Sequence, residues 1–393
     1  MKRKLLFFIA VVVGVMIVVA PLSSAVAADP KINAMTRNLY LGADIFKVVE
    51  AAQTDPDTIP YVVADVFQTA MYTNFPARAE AIADEIARYK PQVVGLQEVS
   101  TYFIQTPGDF MDGNPTPAED VVIDFYTVLD AALKARGMEY DAFTVDNADI
   151  EVPMINPSSP TFLSDVRLVD HDVILVRKGH DAVEVLNDNY QAQLVIDLGG
   201  IPVSFSRGYL AVDVDVKGTT YRVVNTHLEV RSAPRSVFRV FQSWQMQELL
   251  GTVYYMNALD PKPTLLIADW NSSSEDVPDM GYVPGMGWVP YTPPYMQAVG
   301  AGYLDSWLLQ DKYDDGYTSG FDEYVSDPDA ELTSRIDIIW LAPDTLTLDK
   351  VSATVVGEEE IDMVPNTYPG APEDAMLWPS DHAGVVAKIK FLE

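Results

Sequence analysis

The sequence predicts an α/β fold, and three observations carry the prediction. Strand-length apolar runs alternate with segments of helical period along the chain. Polar clusters stand directly at the ends of the apolar runs. No internal repeat or long low-complexity tract interrupts the pattern. With 393 residues, 48% of them hydrophobic, the chain can bury a large core. One large domain over residues 28–393 is the expected organisation.

The elements follow in order. Residues 31–38 read as a first strand. Ala79, Ile82, Ala83, Ile86 and Ala87 recur at helical spacing, so residues 76–89 are a predicted helix that Pro91 stops. A short apolar strand over 92–96 leads straight into Glu98. Residues 120–136 are expected to form a second helix, ended by Gly137. Strands are expected at 172–176, 210–216 and 221–225, with Lys217-Gly218 as the hairpin turn between the last two. A helix over 236–256 and strands over 263–268, 335–341 and 384–392 complete the reading. Pro, Gly and Asp content marks 106–118, 276–294 and 364–379 as loops, each near a candidate site residue and so expected to rim a cleft.

The N-terminus reads as a targeting segment. Lys2, Arg3 and Lys4 precede an apolar run from Leu5 to Ala20, and Ala25-Val26-Ala27 offers a small-x-small cleavage site. The run is short for a membrane span of roughly 20 residues. A cleaved signal peptide over residues 1–27, and hence a secreted or periplasmic protein, is the expectation. The chain has no cysteine, which excludes thiol catalysis and thiolate metal sites. Its net charge of −31 opposes long-range attraction to polyanions, and no basic run follows the leader.

Four histidines are present, and two stand in polar clusters at strand boundaries. His227 ends an apolar strand in Asn225-Thr226-His227-Leu228-Glu229. His382 opens one in Ser380-Asp381-His382. Further polar residues stand at or within other apolar strands: Asn38, Glu98, Asp269, Asn271 and Asp337. A carboxylate among apolar residues is costly unless paired or liganded. Asp337 has an ordinary alternative, an ion pair with Arg335 or another cation. Glu98, Asp381 and the Asn38 amide offer hard oxygen donors suited to Mg²⁺ or Mn²⁺, with Ca²⁺ as a variant. Two imidazoles can stabilise developing charge and move a proton. Asp269 and Asn271, two residues apart on an extended segment, would point to one face. His171 is expected to be structural. The acidic stretches 311–315 and 322–329 lack the spacing of an EF-hand loop.

Taken together, the motifs Thr36-Arg37-Asn38, Gly95-Leu96-Gln97-Glu98-Val99, Asn225-Thr226-His227-Leu228, Ala268-Asp269-Trp270-Asn271, Arg335-Ile336-Asp337 and Ser380-Asp381-His382 resemble the endonuclease/exonuclease/phosphatase superfamily. They fall in the family's order and cover nearly the whole chain after the leader. The resemblance implies a four-layer α/β/β/α sandwich of the DNase I type, with the site at one end of two facing sheets. It implies that Asn38 and Glu98 hold a metal and that Asp381 serves as a metal or orienting carboxylate. It assigns Asp269 and Asn271 to the water and phosphate, His227 to the phosphate or leaving group, and His382, paired with Asp337, to the phosphate or general base. Two departures stand out: Ala268 replaces the usual glycine, and Tyr40 occupies a position that some nucleases fill with an acid.

The function expected is metal-dependent hydrolysis of a phosphoester in a lipid headgroup or small organic phosphate. A secreted nuclease acting on nucleic acid and a non-catalytic binding protein are the alternatives. No stable protein partner is expected. The aromatic segment 282–295 suggests transient contact with a membrane surface.

Overall fold

The computed structural model describes residues 30–197, 202–311, 314–343 and 347–392. The expected leader, residues 1–27, lies outside the described residues.

Two mixed sheets form the centre. The eight-stranded sheet runs in the order β17 (Leu348–Val356), β20 (Gly384–Phe391), β1 (Lys31–Asn38), β2 (Val93–Gln97), β6 (Leu163–Arg177), β3 (Thr101–Gln105) and β4 (Asp120–Asp124). The long β5 (Tyr140–Ile155) also pairs with β6. The six-stranded sheet runs β15 (Leu304–Asp305), β16 (Asp337–Leu341), β12 (Thr264–Asp269), β11 (Thr219–His227), β10 (Gly208–Val216) and β7 (Ala182–Asn189). The pairs β1–β2 and β11–β12 are parallel. Short hairpins β8–β9 (Leu194–Asp197, Pro202–Phe205), β13–β14 (Asp279–Val283, Gly287–Tyr291) and β18–β19 (Val364–Pro365, Met376–Leu377) lie outside both sheets.

Alternation along the strands explains the layering. On β12, Leu265 and Ile267 join the core between the sheets, while Leu266 and Ala268 face the other way. On β1, Ile32 and Ala34 face the second sheet and Met35 faces the helices. The outer face of the first sheet is covered by α1 (Phe46–Thr54), α2 (Ile59–Tyr72), α3 (Phe75–Tyr89) and α4 (Phe125–Ala135). The outer face of the second is covered by α5 (Val237–Leu259) and α6 (Pro294–Gly300). This is the α/β/β/α sandwich expected.

Close approach of the sheets is specified locally. A Cβ added to Gly95 on β2 would stand 2.8 Å from Ile267 Cγ1 and 2.9 Å from Asn225 Oδ1. The same spot carries a buried polar link: Gln97 Nε2 donates to Asn225 Oδ1 at 2.7 Å, and Asn225 Nδ2 donates to the carbonyls of Leu96 and Val173. The bond pins the two sheets in one register, because leaving either amide unpaired in the core is costly.

Three segments differ from the sequence expectation, the slightest being 364–379, a predicted loop that carries the short pair β18–β19. Residues 120–124 are strand β4, not the first turns of a helix. Val121, Val122 and Ile123 are β-branched, Val121 and Ile123 pair with β3 across a bulge at Val122, and Asp124 then caps α4 by accepting from Thr127 N at 3.0 Å. Segment 276–294, read as a loop, contains the hairpin β13–β14 packed on α5. Gly281 permits that packing, since a Cβ there would meet the Ser236 carbonyl oxygen at 2.8 Å.

Candidate active site

Strand direction gathers the candidate residues at one end of the sandwich. The parallel strands β1, β2, β11 and β12 all finish there. The antiparallel strands β16 and β20 start there. In register, His227 lies beside Asp269 and Asp269 beside Asp337. In the other sheet Asn38 lies beside Gln97, and Glu98 follows. Residues from five separate stretches of the chain are thus neighbours through strand order and register. Glu98, His227, Asp269, Asn271, Asp381 and His382 line one cleft of about 280 Å³. Asn38 and Asp337 stand behind it, bonded to residues of its wall.

Asn38 bridges the two halves. Its Nδ2 donates to Asp269 Oδ2 at 3.1 Å and to Glu98 Oε1 at 3.3 Å, while Oδ1 accepts from Tyr40 N at 2.8 Å. Asp269 Oδ1 accepts from Asn271 N at 2.8 Å. The two residues do converge, but not by extended alternation. The strand ends at Asp269, and Asn271 is left-handed with φ +49°, so a tight turn brings its amide round to the cleft.

His382 Nδ1 lies 2.8 Å from Asp337 Oδ2 and 3.7 Å from Asp269 Oδ2. Burial opposes a charge on His382, but the Asp337, Asp381 and Asp269 carboxylates outweigh it and hold its pKa well above the ordinary value. Arg335 is not the partner of Asp337; it pairs with Asp305. Burial and Asp337 together push the Asp269 carboxyl up to about 7.

His227 is set differently. Arg207 Nη1 stands 2.9 Å from its Nδ1. A guanidinium can only donate, so Nδ1 accepts and the ring proton sits on Nε2. The Nε2 proton is directed at Asp269 Oδ2, 3.3 Å away; the nearby Asn271 Nδ2, itself a donor, is bonded to the Leu228 carbonyl at 3.1 Å. Burial first, then the charges of Arg207 and His382, hold the His227 pKa well below the ordinary value. The site therefore pairs one imidazole favoured as cation with one favoured as neutral.

Two groups of metal-type donors are present. Ligand atoms of Asp269, Asp337 and His382 lie within 4.8 Å of one another. Here, however, Nδ1 of His382 is already bonded to Asp337. The second group is Asn38, Glu98 and Asp381. Burial, then Asp381 and Asp170, raise the Glu98 carboxyl to about 7, and burial raises Asp381 as well. Their hydrogen bonds come from the Asn38 amide, Leu41 N–H and the Ser380 hydroxyl. Glu98 and Asp381, two buried carboxylates of one cleft, offer hard oxygen donors that suit a divalent cation, while Asn38 turns its Nδ2 toward Glu98 and its oxygen to Tyr40 N.

Several residues of the site escape sequence reasoning. Arg37 donates to the His382 carbonyl and to Glu85 Oε1 at 3.0 Å, fixing the main chain at His382. Arg78 on α3 donates to the carbonyls of Thr73, Leu39, Tyr40 and Pro379, tying the segment after β1 to the one before Ser380. Gln242 on α5 donates to the carbonyls of Glu229 and Asn271 at 2.8 and 2.7 Å. Asp170 also lines the cleft, two residues before Asp172 on one face of β6. His171 between them faces away, with Nδ1 at 3.1 Å from the Val99 carbonyl. The cleft is not rimmed by 106–118, 276–294 or 364–379. Tyr40 to Phe46, Phe205 to Arg207 and Phe321 to Glu323 contribute instead. Of the three, 364–379 stands behind the wall, where Leu377 and Trp378 pack with Tyr40 and Trp378 stacks on Phe321 at 4.2 Å.

A model of the endonuclease/exonuclease/phosphatase family matches residues 71–382. No curated protein matches the chain by sequence. Among solved structures, an endonuclease/exonuclease/phosphatase family protein from Bacteroides thetaiotaomicron aligns at 14% identity and TM-score 0.52, over 93% of this chain and 96% of that one. A mannosyl-6-phosphatase from the same organism aligns at 14% identity and TM-score 0.51, over 92% and 100%. A truncated TDP2 from Caenorhabditis elegans aligns at 17% identity and TM-score 0.46, over 92% and 97%. At these identities the first two likenesses concern the fold.

Proposed function

The chain belongs to the endonuclease/exonuclease/phosphatase family, and we propose that it is a divalent-metal-dependent phosphoesterase acting outside the cytoplasm on a lipid headgroup or a small organic phosphate. The observation that carries this reading is the convergence on one cleft of a charged imidazole, a neutral imidazole, an Asp269 carboxyl near neutrality and the Glu98–Asp381 pair.

The roles follow from the protonation states. Asp269, with a pKa near 7, is suited to take a proton from an attacking water. As the water oxygen bonds to phosphorus, the ester oxygen departs with the bonding pair and is protonated by an acid of the site or by solvent. His382, kept cationic by Asp337, stabilises charge on the phosphoryl oxygens. Neutral His227, its Nδ1 held by Arg207, carries an Nε2 proton on the side of Asp269 that can be offered to the same group. A divalent cation held by Asn38, Glu98 and Asp381 would neutralise phosphoryl charge. Mg²⁺ or Mn²⁺ is the proposed ion, with Ca²⁺ as a variant.

The net charge of −31 favours small or lipid-borne phosphates over DNA. Arg231, a cation that could otherwise meet a polyanion, is paired with Asp276. The leader at residues 1–27 supports export. Exposed Tyr282, Met286 and Trp288 on β13–β14 and its turn support transient contact with a membrane surface.

The test is a substrate panel with Mg²⁺, Mn²⁺ and Ca²⁺. It includes bis-p-nitrophenyl phosphate, inositol phosphates, a mannose phosphate (prompted by the phosphatase of the same fold), sphingomyelin and DNA. Metal-dependent release of a small or lipid product, lost in His382→Ala, is expected. Equal rates in wild type and variant would remove the site. Cleavage of DNA alone would replace the substrate class with the nuclease alternative. For export, the protein recovered outside the cytoplasm should begin at Ala28; recovery only inside the cell with the leader intact would overturn that part.

A further inference from the structure

A second cavity opens beside the catalytic cleft. It lies under α1 and α2, on the outer face of β5 and β6, and its volume is about 60 Å³. That is several times the roughly 10–15 Å³ that one water-sized sphere requires. Its walls are almost wholly apolar, with Val49 from α1, Val63 and Val66 from α2, and Val152 and Val166 from the sheet. The polar tip it meets, the Tyr102 hydroxyl, is already bonded to the Leu41 carbonyl at 2.9 Å. Such a cavity offers water no partners.

The cavity and the cleft adjoin, with Ile45, Ile150, Leu168 and Phe205 lining both. Strand geometry accounts for the adjacency. Val152 pairs with Val166 and Ile150 with Leu168 across the β5–β6 ladder. Along the same face of β6, the next position after Leu168 is Asp170, which already belongs to the cleft. A single strand face therefore passes from apolar wall to catalytic wall. At this boundary Phe205, which lines both, stacks on Phe46 of the cleft with ring centroids 6.2 Å apart.

We propose that this cavity is a subsite for a short alkyl arm of the phosphoester, so that the preferred substrate carries an apolar chain a few carbons deep next to the phosphorus. The inference rests on the phosphoesterase reading and narrows it. A phosphate seated between His227 and His382 has solvent on one side and this recess on another. A charged or hydroxylated arm would lose its water in the recess without compensation, whereas an alkyl arm gains by leaving water.

Two measurements on the full mature chain with Mg²⁺ separate the subsite from the chemistry. Methyl-, propyl-, butyl- and hexylphosphonate, which resist hydrolysis, are titrated by calorimetry. Methyl to hexyl p-nitrophenyl phosphates are assayed for turnover. Affinity and kcat/KM should rise roughly fourfold per methylene, the ratio that burial of one methylene implies, and level off once the recess is full. In Val66→Phe, which fills the recess, the hexyl-to-methyl affinity ratio should fall toward one. In Val66→Ala, which enlarges it, the plateau should move to a longer chain. A flat phosphonate series in the wild type would overturn the subsite. A rising series unchanged by both Val66 variants would place the arm elsewhere and overturn it equally. Chain-length-dependent binding without turnover of any ester would keep the subsite and reject the phosphoesterase reading.

Discussion

Asp337 uses one carboxylate oxygen on His382 Nδ1, and its other oxygen is buried without a hydrogen-bond partner. Its charge is what makes the imidazolium favourable, so Asp337→Asn tests the pair with little change of shape. The expected outcome is a fall of about 10²- to 10⁴-fold in kcat with KM little changed, read by steady-state kinetics on bis-p-nitrophenyl phosphate. Unaltered kcat would mean that His382 works without it. Arg207 poses the complementary test. Arg207→Met removes the donor that assigns the His227 proton to Nε2. Nitrogen chemical shifts should then show a mixture of tautomers, and activity should fall roughly 10- to 100-fold, as for loss of other orienting partners. A single unchanged tautomer would show that Asp269 suffices. The polar residues that gather at the cleft were legible as a group in the sequence because polar side chains interrupting apolar strand ends need a reason to be there. Arg207, Arg78 and Gln242 were not, because each acts on a carbonyl or ring that only the folded chain brings near. Asn271 was placed for the wrong geometric reason: its left-handed turn, not strand alternation, aims it.

Among the elements, long apolar strands and the amphipathic helix α3 were legible because their periods are dictated by which face is buried. Residues 120–124 and the β13–β14 hairpin were not. Both depend on partners: β4 needs β3, and the hairpin needs α5. The loop after β12 holds Asn271 in place and is closed by Asp276. That carboxylate accepts from Ser272, Ser273 N and Arg231, with Arg239 at 3.1 Å. Burial works against its charge, but these partners prevail and lower its pKa. A lowered folded pKa contributes stability above the unfolded value of about 3.8, and that stability is lost as pH falls through the folded value. Urea midpoints should therefore separate wild type from Asp276→Asn at pH 7 and converge below about pH 4. Parallel curves would mean the loop closes without the charge. The hairpin itself exposes Tyr282 and Trp288, paired edge to face at 5.6 Å. Replacing both by Ser should reduce co-sedimentation with phosphatidylcholine vesicles several-fold while leaving turnover of a soluble ester intact. Unchanged sedimentation would remove the membrane contact.

At the scale of the whole molecule, the topology that unites the site also concentrates negative charge in it. A chain with net charge −31 attracts divalent cations everywhere on its surface. A specific seat must be distinguished from that general attraction. The seat proposed here combines two carboxylates with raised pKa values, Glu98 at about 7, so their mutual repulsion is a cost that a bound cation would remove. Surface attraction involves exposed acids, whose interactions are screened within about 8 Å at 0.15 M salt. Binding to the folded state alone stabilises it by roughly 2.7 kcal/mol when the ion is at a hundred times its Kd. Measured in 0.15 M NaCl, added Mg²⁺ or Mn²⁺ should raise the melting temperature of the wild type by a few degrees and leave Glu98→Gln nearly unmoved. Removing a surface acid such as Asp57 should leave the wild-type shift in place, because that carboxylate lies outside the seat. Equal shifts in wild type and Glu98→Gln would assign the stabilisation to the acidic surface. The Asp269–Asp337–His382 group would then be the next place to look for the ion, and Asp337→Asn would have to abolish the shift for that group to hold it.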